Sequence, residues 1–323
     1  MDLLVLGGTA FLGRAVATEA VARGHRVVCA ARGSAPVPDG ASLVRLDRDH
    51  DRGLAPVVDH SWDAVVDVTR TPRHTERAVR DLTTQHHVLV STGNVYARFD
   101  RPEQSEDAAL CAPVDDLDDI SDYGRGKVAC ESLVRAASAT STVVRSGLIG
   151  GPGDTSGRSG YYPWRFAHPT GADVLLPAVP DFPVALIDVE DLARWLVLAA
   201  ERRIDGTFNA TGRTTTLAEV VRLAADVAGS DATPRWVDPA ELERLGVAAW
   251  MGPTSLPLWI DDPAWRWFAT MDTVAARTAG LVTRPLADTL ARTLAYEERR
   301  TEPRLAGLTD PDEIRVRAAL DAA

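Results

Sequence analysis

Cysteine is scarce in this sequence, and the few cysteines lie far apart. Only Cys29, Cys111 and Cys130 occur among the 323 residues. Three scattered thiols supply neither the framework of a small disulfide-rich protein nor the close clusters that bind zinc. We therefore expect reduced thiols, no metal site and a cytoplasmic protein.

Long apolar runs and an excess of positive charge are also lacking. No apolar run approaches the roughly 20 residues that a membrane-spanning helix requires. The first residues, MDLLVLGG, place no basic segment before the apolar one, so we expect no signal peptide. The formal net charge is −11, whereas binding of nucleic acid needs a basic surface. These absences predict a protein with neither a membrane nor a nucleic-acid partner.

The first half of the chain alternates short apolar segments with amphipathic ones. Residues 11–22 have helical spacing and are followed by Gly24, where a helix commonly ends. Uninterrupted apolar character suits parallel strands that helices cover on both faces. The apolar segments span residues 3–6, 26–31, 43–46, 64–68 and 88–90, and a sixth begins at Val143. This rhythm predicts an α/β fold, a Rossmann doubly wound parallel sheet with right-handed crossovers.

The pattern changes near residue 150. Residues 150–160 are rich in Gly, Pro and Ser and predict a loop, and Thr216 with Glu219 forms a capping-box start for a helix that runs to Ala228. We expect a dinucleotide-binding Rossmann domain over 1–150 and a smaller, mostly helical C-terminal substrate region over 151–323. Segments near 185–210, which include strand-like residues 185–187 and 206–209, are expected to return to the main domain.

A glycine-rich turn separates the first strand from the first helix. It reads Gly7-Gly8-Thr9-Ala10-Phe11-Leu12-Gly13. Such a turn lets backbone N–H groups and the helix N-terminus face a pyrophosphate, because the helix end carries a partial positive charge. Gly7 would supply the turn, and Gly13 would let the helix pack close to the strand. The alternative is a tight turn that binds nothing.

The end of the second strand lacks the acidic residue that binds a ribose 2′-hydroxyl in NAD sites. The sequence there is Ala30-Ala31-Arg32-Gly33-Ser34. A guanidinium at this position can pair with a 2′-phosphate, so Arg32 favours NADP(H), while NAD(H) stays possible. Asp47, after the third strand, is placed to accept a hydrogen bond from an adenine amino group, or else it caps its own turn.

A tyrosine and a lysine stand four residues apart at the start of a predicted helix. Tyr123 and Lys127 therefore share one helix face. An ammonium beside a phenol favours the phenolate and lowers its pKa, so Tyr123 can exchange a proton with a substrate oxygen. Thr92 ends a central strand, where it can hydrogen-bond the same oxygen. The alternatives are a solvated helix face and a hydroxyl that caps a turn.

Taken together, these motifs resemble the extended short-chain dehydrogenase/reductase superfamily, the NAD-dependent epimerase/dehydratase group. The resemblance continues through residues 145–154, 187–193 and 206–210, in the order typical of the superfamily. The segment Val65-Val66-Asp67-Val68 and Arg32-Gly33 are similar to a bacterial reductase subgroup related to chloroplast stem-loop-binding proteins.

The resemblance assigns roles to residues by position. It implies that Thr92 polarises the substrate oxygen, that Tyr123 is the general acid/base and that Lys127 is its partner. The pyrophosphate turn would consist of Gly7, Gly13 and the backbone of Thr9, Ala10, Phe11 and Leu12. Val68 and Thr69 would line the adenosine, and Ser146, Gly147 and Leu148 would lie near the nicotinamide amide. A homodimer through the helix of Tyr123 is a further implication.

One departure from the superfamily pattern concerns cofactor affinity. The middle glycine of the turn is Ala10 in this chain. A methyl group at the closest approach of the backbone is expected to shift the pyrophosphate or to weaken its binding.

Candidate substrate residues follow the Gly/Pro-rich loop. Aromatic side chains can stack on a sugar, a base or an aromatic ring, although each could equally belong to the core. The candidates are Asn94, Arg158, Tyr161, Tyr162, Trp164, Trp250 and Trp259.

Three functional hypotheses follow. The first is an NAD(P)-dependent oxidoreductase that moves hydride between nicotinamide and a carbonyl or alcohol of a small metabolite. The second is a nucleotide-sugar or other metabolite epimerase or dehydratase that uses tightly bound NAD. Dehydratases of the superfamily add acidic catalysts beside the central hydroxyl, whereas Thr92 is followed here by Gly93 and Asn94. The third, a non-catalytic cofactor sensor or RNA-binding protein, fits the acidic charge poorly.

Overall fold

A computed structural model describes residues 1–322, in which helices and strands alternate from the first residues onward. The strands are β1 (Asp2–Leu6), β2 (Arg26–Ala31), β3 (Ser42–Arg45), β4 (Ser61–Trp62), β5 (Ala64–Asp67), β6 (Thr83–Thr84), β7 (His87–Thr92), β8 (Ser141–Ser146), β9 (Leu148–Gly150), β10 (Asp173–Pro177), β11 (Pro183–Val184), β12 (Leu186–Asp188), β13 (Gly206–Ala210), β14 (Thr215–Thr216), β15 (Thr233–Val237), β16 (Ala248–Ala249) and β17 (Ser255–Leu256).

The helices connect and cover these strands. They are α1 (Phe11–Ala22), α2 (Pro72–Asp81), α3 (Tyr123–Ala137), α4 (Tyr161–Ala167), α5 (Val189–Arg202), α6 (Leu217–Ala228), α7 (Pro239–Arg244), α8 (Val274–Thr278), α9 (Leu286–Glu297) and α10 (Asp310–Asp321). No helix within residues 1–322 combines the length and apolar character needed to cross a membrane.

Seven strands form one fully parallel sheet in the order β13-β8-β7-β5-β1-β2-β3. The expected Rossmann α/β fold is therefore confirmed. Strand order reverses on either side of β1, and parallel sheets of this type bind ligands at the carboxyl ends of the strands near such a point. Leu3 to Leu6 of β1 and Ala64 to Asp67 of β5 are all buried, as expected for central strands with helices on both faces.

The chain divides into two compact units. The first comprises residues 1–147, 189–211 and 271–282, and the second comprises 148–188, 212–270 and the remainder from Thr283. Residues 189–211 and 271–282 thus belong to the first unit, whereas the sequence predicted returning segments near 185–210 only. β13 joins the main sheet beside β8 as expected. The expected return of residues 185–187 to that sheet is wrong, because β12 pairs with β9 inside the second unit.

The second unit is built from five helices, α4, α6, α7, α9 and α10, and short two-stranded pairings. The capping pattern before α6 forms as predicted, since the Thr216 hydroxyl accepts a hydrogen bond from the Glu219 N–H at 3.2 Å. The helix ends at Gly229, whose left-handed backbone (φ 59°) suits glycine. A core of buried apolar side chains, among them Phe166, Val220 and Trp259, holds this unit together.

Candidate active site

The glycine turn after β1 has no room for side chains at its two outer glycines. Gly7 has a left-handed backbone (φ +94°), and a Cβ there would lie 2.6 Å from Cγ2 of Val68. A Cβ on Gly13 would lie 2.3 Å from the Gly7 carbonyl oxygen, so α1 contacts the turn directly. α1 begins without a side-chain cap. An uncapped helix start beside a glycine turn has the geometry that binds a pyrophosphate.

Gly8 is a third constrained position that the sequence interpretation left out. A Cβ at Gly8 would lie 2.5 Å from Sγ of Cys29 on β2. Cys29 is fully buried, and burial raises its pKa to about 11, so it fills space as a neutral thiol. The sequence shows the Gly7-Gly8 pair, but only the pairing of β1 with β2 shows that Cys29 faces Gly8.

Ala10 occupies a tolerant position in the turn. Its backbone is extended (φ −119°, ψ 148°), and its side chain is exposed at the N-terminus of α1. An alanine adopts this conformation without strain, because only positive φ values favour glycine. The structure therefore gives no steric reason within the turn itself for weakened cofactor binding.

Arginines gather where β2 and β3 end. Arg32 is exposed after β2, and a Cβ on the neighbouring Gly33 would lie 3.0 Å from Nε of Arg45. The Arg14 guanidinium donates to the Pro36 carbonyl in the loop that follows. The side chain of Asp47 contacts its own segment instead, because its Oδ1 accepts a hydrogen bond from the Asp49 N–H at 3.0 Å. Asp47 therefore caps its turn in the structure, the alternative that the sequence left open.

Thr92 and Tyr123 meet at the carboxyl end of β7. Thr92 is the last residue of β7 and Tyr123 is the first residue of α3. The start of α3 packs against the turn after β7, since a Cβ on Gly124 would lie 2.3 Å from the Asn94 carbonyl oxygen, and the Thr92 hydroxyl acts to lower the pKa of the Tyr123 phenol. The Thr92 hydroxyl also donates to Oδ1 of Asn94 at 2.9 Å. Asn94 thus orients Thr92, while the neighbouring Ser91 donates to Glu131 at 2.5 Å and points elsewhere. This agrees with the choice of Thr92 rather than Ser91.

Lys127 is fully buried and holds two strand ends together. Its Nζ donates to the carbonyl oxygens of Thr69, after β5, at 2.7 Å and of Val90, on β7, at 2.5 Å. Lys127 is the only lysine in a chain with 35 lysines and arginines, so 34 positions carry arginine. Arg and Lys are not interchangeable in compact carbonyl sites, because the ammonium is a small point charge. The sequence alone already shows that Lys127 is the single lysine and marks it as a candidate functional residue.

The sequence pattern predicted that Lys127 lowers the pKa of Tyr123, whereas the pKa of this phenol is raised in the structure. Burial is the first cause of the rise, although the residue is 40% exposed, and the Thr92 hydroxyl and the Arg70 charge oppose it. The ammonium of Lys127 is directed at the carbonyls of Thr69 and Val90.

A buried ion pair supports the same strand end. Arg48 donates to both carboxylate oxygens of Asp67, at 2.8 and 2.9 Å, and to the His74 carbonyl at 2.6 Å. Burial acts to raise the pKa of Asp67, but the Arg48 guanidinium outweighs it and holds that pKa below its usual value. Asp67 also accepts from the Thr69 N–H at 3.0 Å, which fixes the residue that Lys127 contacts. In the sequence, the sign of this ion pair is an aspartate, Asp67, within an otherwise apolar strand.

The end of β8 carries the residues expected near a nicotinamide amide. The Ser146 hydroxyl donates to the Gly147 carbonyl at 3.1 Å, and the Gly147 N–H donates to Ala210 at 2.9 Å. A Cβ on Gly147 would lie 2.4 Å from the Thr211 hydroxyl oxygen, which is buried and without a hydrogen-bond partner. Leu148 is the first residue of the second unit.

The aromatic substrate candidates of the second unit fall into two groups. Tyr161, Tyr162 and Trp259 are buried in its core, which is the packing role left open for such residues. Trp164 and Trp250 are only partly buried, and each contacts a guanidinium.

A small apolar cavity lies beside Trp250. Phe182, Leu258 and Phe268 line it together with Trp250. Trp250 and Leu258 both have positive φ values, 70° and 67°, which are uncommon for residues with side chains. The Arg158 guanidinium lies 4.5 Å from the Trp250 ring. Of the predicted substrate residues in this unit, Trp250 and Arg158 are thus brought together at an apolar cavity.

This chain is similar to known proteins in its structure, as comparison with solved structures shows. No protein-family model and no curated protein matches the sequence. A Burkholderia cenocepacia protein provisionally classed as an epimerase is 20% identical, with a TM-score of 0.70 over 93% of this chain and 98% of that chain. Thermotoga maritima UDP-glucose 4-epimerase, solved with UDP-glucose, is 17% identical, with a TM-score of 0.69 over 94% of this chain and 100% of that chain.

A third solved structure extends the comparison to a cofactor complex. Thermus thermophilus UDP-glucose 4-epimerase, solved with NAD, is 17% identical, with a TM-score of 0.67 over 92% of this chain and 99% of that chain. These similarities confirm the fold expected from the resemblance to the extended short-chain dehydrogenase/reductase superfamily. The narrower resemblance to the chloroplast-related reductase subgroup stays a prediction.

Proposed function

We propose that this protein is a nicotinamide-dependent enzyme that moves hydride to or from an alcohol or carbonyl carbon of a small metabolite. The observation that carries the proposal is the placement of the Tyr123 phenol and the Thr92 hydroxyl at the carboxyl end of β7, where the start of α3 packs against the turn after Thr92. This pair belongs to the same compact unit as the glycine turn. A proton-exchanging phenol beside an orienting hydroxyl is the arrangement that such a step requires.

The residues have separate tasks in this proposal. Tyr123 gives a proton to the substrate oxygen when a carbonyl is reduced, and it takes the proton back when an alcohol is oxidised. Thr92 donates a hydrogen bond to the same oxygen, after exchanging its present partner Asn94 for it. Lys127 keeps the ends of β5 and β7 at a fixed separation through its two carbonyl contacts. A bound nicotinamide supplies or accepts the hydride.

The residues of this chain fit a dinucleotide. Gly7 and Gly13 leave a cradle that a Cβ would fill, and the start of α1 is uncapped. Arg32 is exposed, and the end of β2, Ala30-Ala31-Arg32-Gly33-Ser34, contains no acidic residue, which favours NADP(H). The Thermus thermophilus relative was solved with NAD, which makes NAD(H) the second candidate. Arg32→Ala should raise the KM for NADPH far more than that for NADH, and equal effects would contradict the NADP(H) preference.

The structural relatives favour one outcome of the hydride step. Two of them are UDP-glucose 4-epimerases that match nearly the whole chain. They support epimerisation of a nucleotide sugar, in which a retained cofactor would be reduced and then reoxidised within one turnover, over net reduction. Net reduction is the second candidate, because Arg32 favours NADP(H), which reductases commonly consume. We further propose that the protein has no nucleic-acid partner, for which the net charge of −11 is the supporting observation. The proposed homodimer rests on the superfamily resemblance, and the proposed cytoplasmic location rests on the three scattered cysteines.

One experiment tests the proposal and separates the two outcomes. The purified protein is incubated with UDP-glucose, and with a panel of ketones and aldehydes plus NADPH or NADH. NMR detects the C4 epimer, and nicotinamide absorbance detects net reduction. Tyr123→Phe should lose nearly all turnover in either case while cofactor binding is preserved. Tyr296→Phe, on α9 of the second unit, is the matched control. Full activity of Tyr123→Phe would contradict the proposed acid/base.

A further inference from the structure

Arg70 is the cation that faces the Tyr123 phenol ring. It follows Thr69 beyond the end of β5, and its guanidinium carbon lies 5.7 Å from the ring centroid. Arg70 is exposed, but the backbone before it is anchored, because Lys127 binds the Thr69 carbonyl and Asp67 binds the Thr69 N–H. A guanidinium within about 6 Å of an aromatic ring is attracted to its face.

The other groups that act on the phenol are few. Thr92, at the end of β7, acts to lower the pKa of Tyr123, and Cys130, on the same helix as Tyr123, acts to raise it. Lys127, also on α3, directs its ammonium at two carbonyl oxygens. Arg70 is thus the positive charge that opposes the effect of burial on this phenol.

We propose that Arg70 is a positioning residue that stabilises the ionised form of Tyr123. This inference rests on the proposed function only for its catalytic consequence, since the electrostatic effect exists in the resting protein. The cation favours phenolate over phenol, so Tyr123 ionises at a lower pH with Arg70 than without it. Because the ring and the arginine both contact solvent, the effect is screened by salt.

The test is a titration of tyrosine absorbance in the full-length protein. Subtracting the Tyr123→Phe titration from that of the unaltered protein isolates Tyr123 among the five tyrosines. Arg70→Gln should lower the phenolate fraction at a fixed pH by roughly threefold to tenfold, as expected for one charge at about 6 Å in a mainly aqueous setting. Arg70→Lys should retain most of the effect. High salt should shrink the difference between the Arg70→Gln variant and the unaltered protein.

The matched control removes another guanidinium from the same part of the chain. Arg73 lies three residues further on, but it is paired with Asp118 and Glu76, each at 3.0 Å. Arg73→Gln changes the net charge equally and should leave the Tyr123 titration unchanged. The inference fails if Arg70→Gln leaves the titration unchanged, or if Arg73→Gln shifts it by the same amount.

Failure of this inference is distinguishable from failure of the proposed function. Full turnover by Tyr123→Phe would end the acid/base assignment, whatever the titration of the Arg70 variants shows. An inactive Tyr123→Phe together with an unaltered titration in Arg70→Gln would end the inference alone. If Tyr123→Phe is inactive and Arg70→Gln lowers the phenolate fraction, the pH dependence of kcat for Arg70→Gln should move to higher pH, in parallel with the pKa of the phenol.

Discussion

Gly13→Ala should damage the glycine turn, whereas Ala10→Gly in the same turn should change little. The added Cβ of Gly13→Ala would lie 2.3 Å from the Gly7 carbonyl oxygen, while ordinary contacts begin at 3.4 Å. Helix and turn must therefore separate by about 1 Å, and such overpacking typically costs about 1–3 kcal/mol. At Ala10 the backbone is extended and the side chain is exposed, so loss of its methyl group relieves no contact within the turn.

The free-energy cost of Gly13→Ala can emerge in two measurable ways. If the turn keeps its shape, the folded protein is strained and its urea unfolding midpoint falls. If the turn moves away, cofactor binding must restore it, and the same cost of about 1–3 kcal/mol becomes a loss of roughly 5- to 150-fold in affinity. Calorimetric titration with NADPH and NADH, together with urea unfolding, measures both quantities.

The Ala10→Gly variant decides between the structure and the superfamily pattern. The pattern expects tighter binding once the middle glycine is restored, whereas the extended backbone of Ala10 predicts an affinity within about threefold of the original. A Gly13→Ala protein with unaltered stability and affinity would refute the steric reasoning. A gain of more than about tenfold in affinity for Ala10→Gly would show that the methyl group does obstruct the pyrophosphate.

Three further predictions concern buried charge. Lys127→Arg should lose most turnover, since a guanidinium does not fit between two carbonyls at 2.5 and 2.7 Å; rates close to the original would contradict this. Glu131→Gln should destabilise the protein by about 3–5 kcal/mol in urea unfolding, because it leaves the buried Arg145 charge without the carboxylate that lies 2.9 Å away; Glu219→Gln, in an exposed ion pair on α6, should cost far less. Burial lowers the pKa of His87 to about 4, so the unfolded chain binds that proton first as pH falls. Stability should therefore be full above pH 6.5 and decline toward pH 4, and His87→Gln should reduce this decline measured by urea unfolding.

The central strands and the glycine turn were predictable because local pattern determines them. The four consecutive apolar residues Leu3 to Leu6, followed by glycine, predict a buried strand without any knowledge of the neighbouring strands. Residues 185–187 were misplaced for the opposite reason: β12 is three residues long, and only pairing with β9 selects its sheet. Short strands carry too little periodicity to choose a partner.

The contacts within the site were less predictable than its composition. Spacing placed Tyr123 and Lys127 on one helix face, but it could not show that the ammonium binds the carbonyls of Thr69, after β5, and of Val90, on β7. Those two residues lie 58 and 37 residues away from Lys127 in the chain. Arg70 likewise approaches Tyr123 only through the sheet order that sets β5 beside β7.

The residues that distinguish this chain stand in the loops that follow parallel strands. Ala10 follows β1, Arg32 follows β2 and Arg70 follows β5, and each of the three is exposed. Loops at this edge of the sheet can change without disturbing the buried strands, which is why one fold hosts many activities. Structural relatives at 17% to 20% identity share the fold, and we expect cofactor and substrate choice to depend on these loops. Measurements on Arg32 and Arg70 are thus more informative about function than further comparison of the fold.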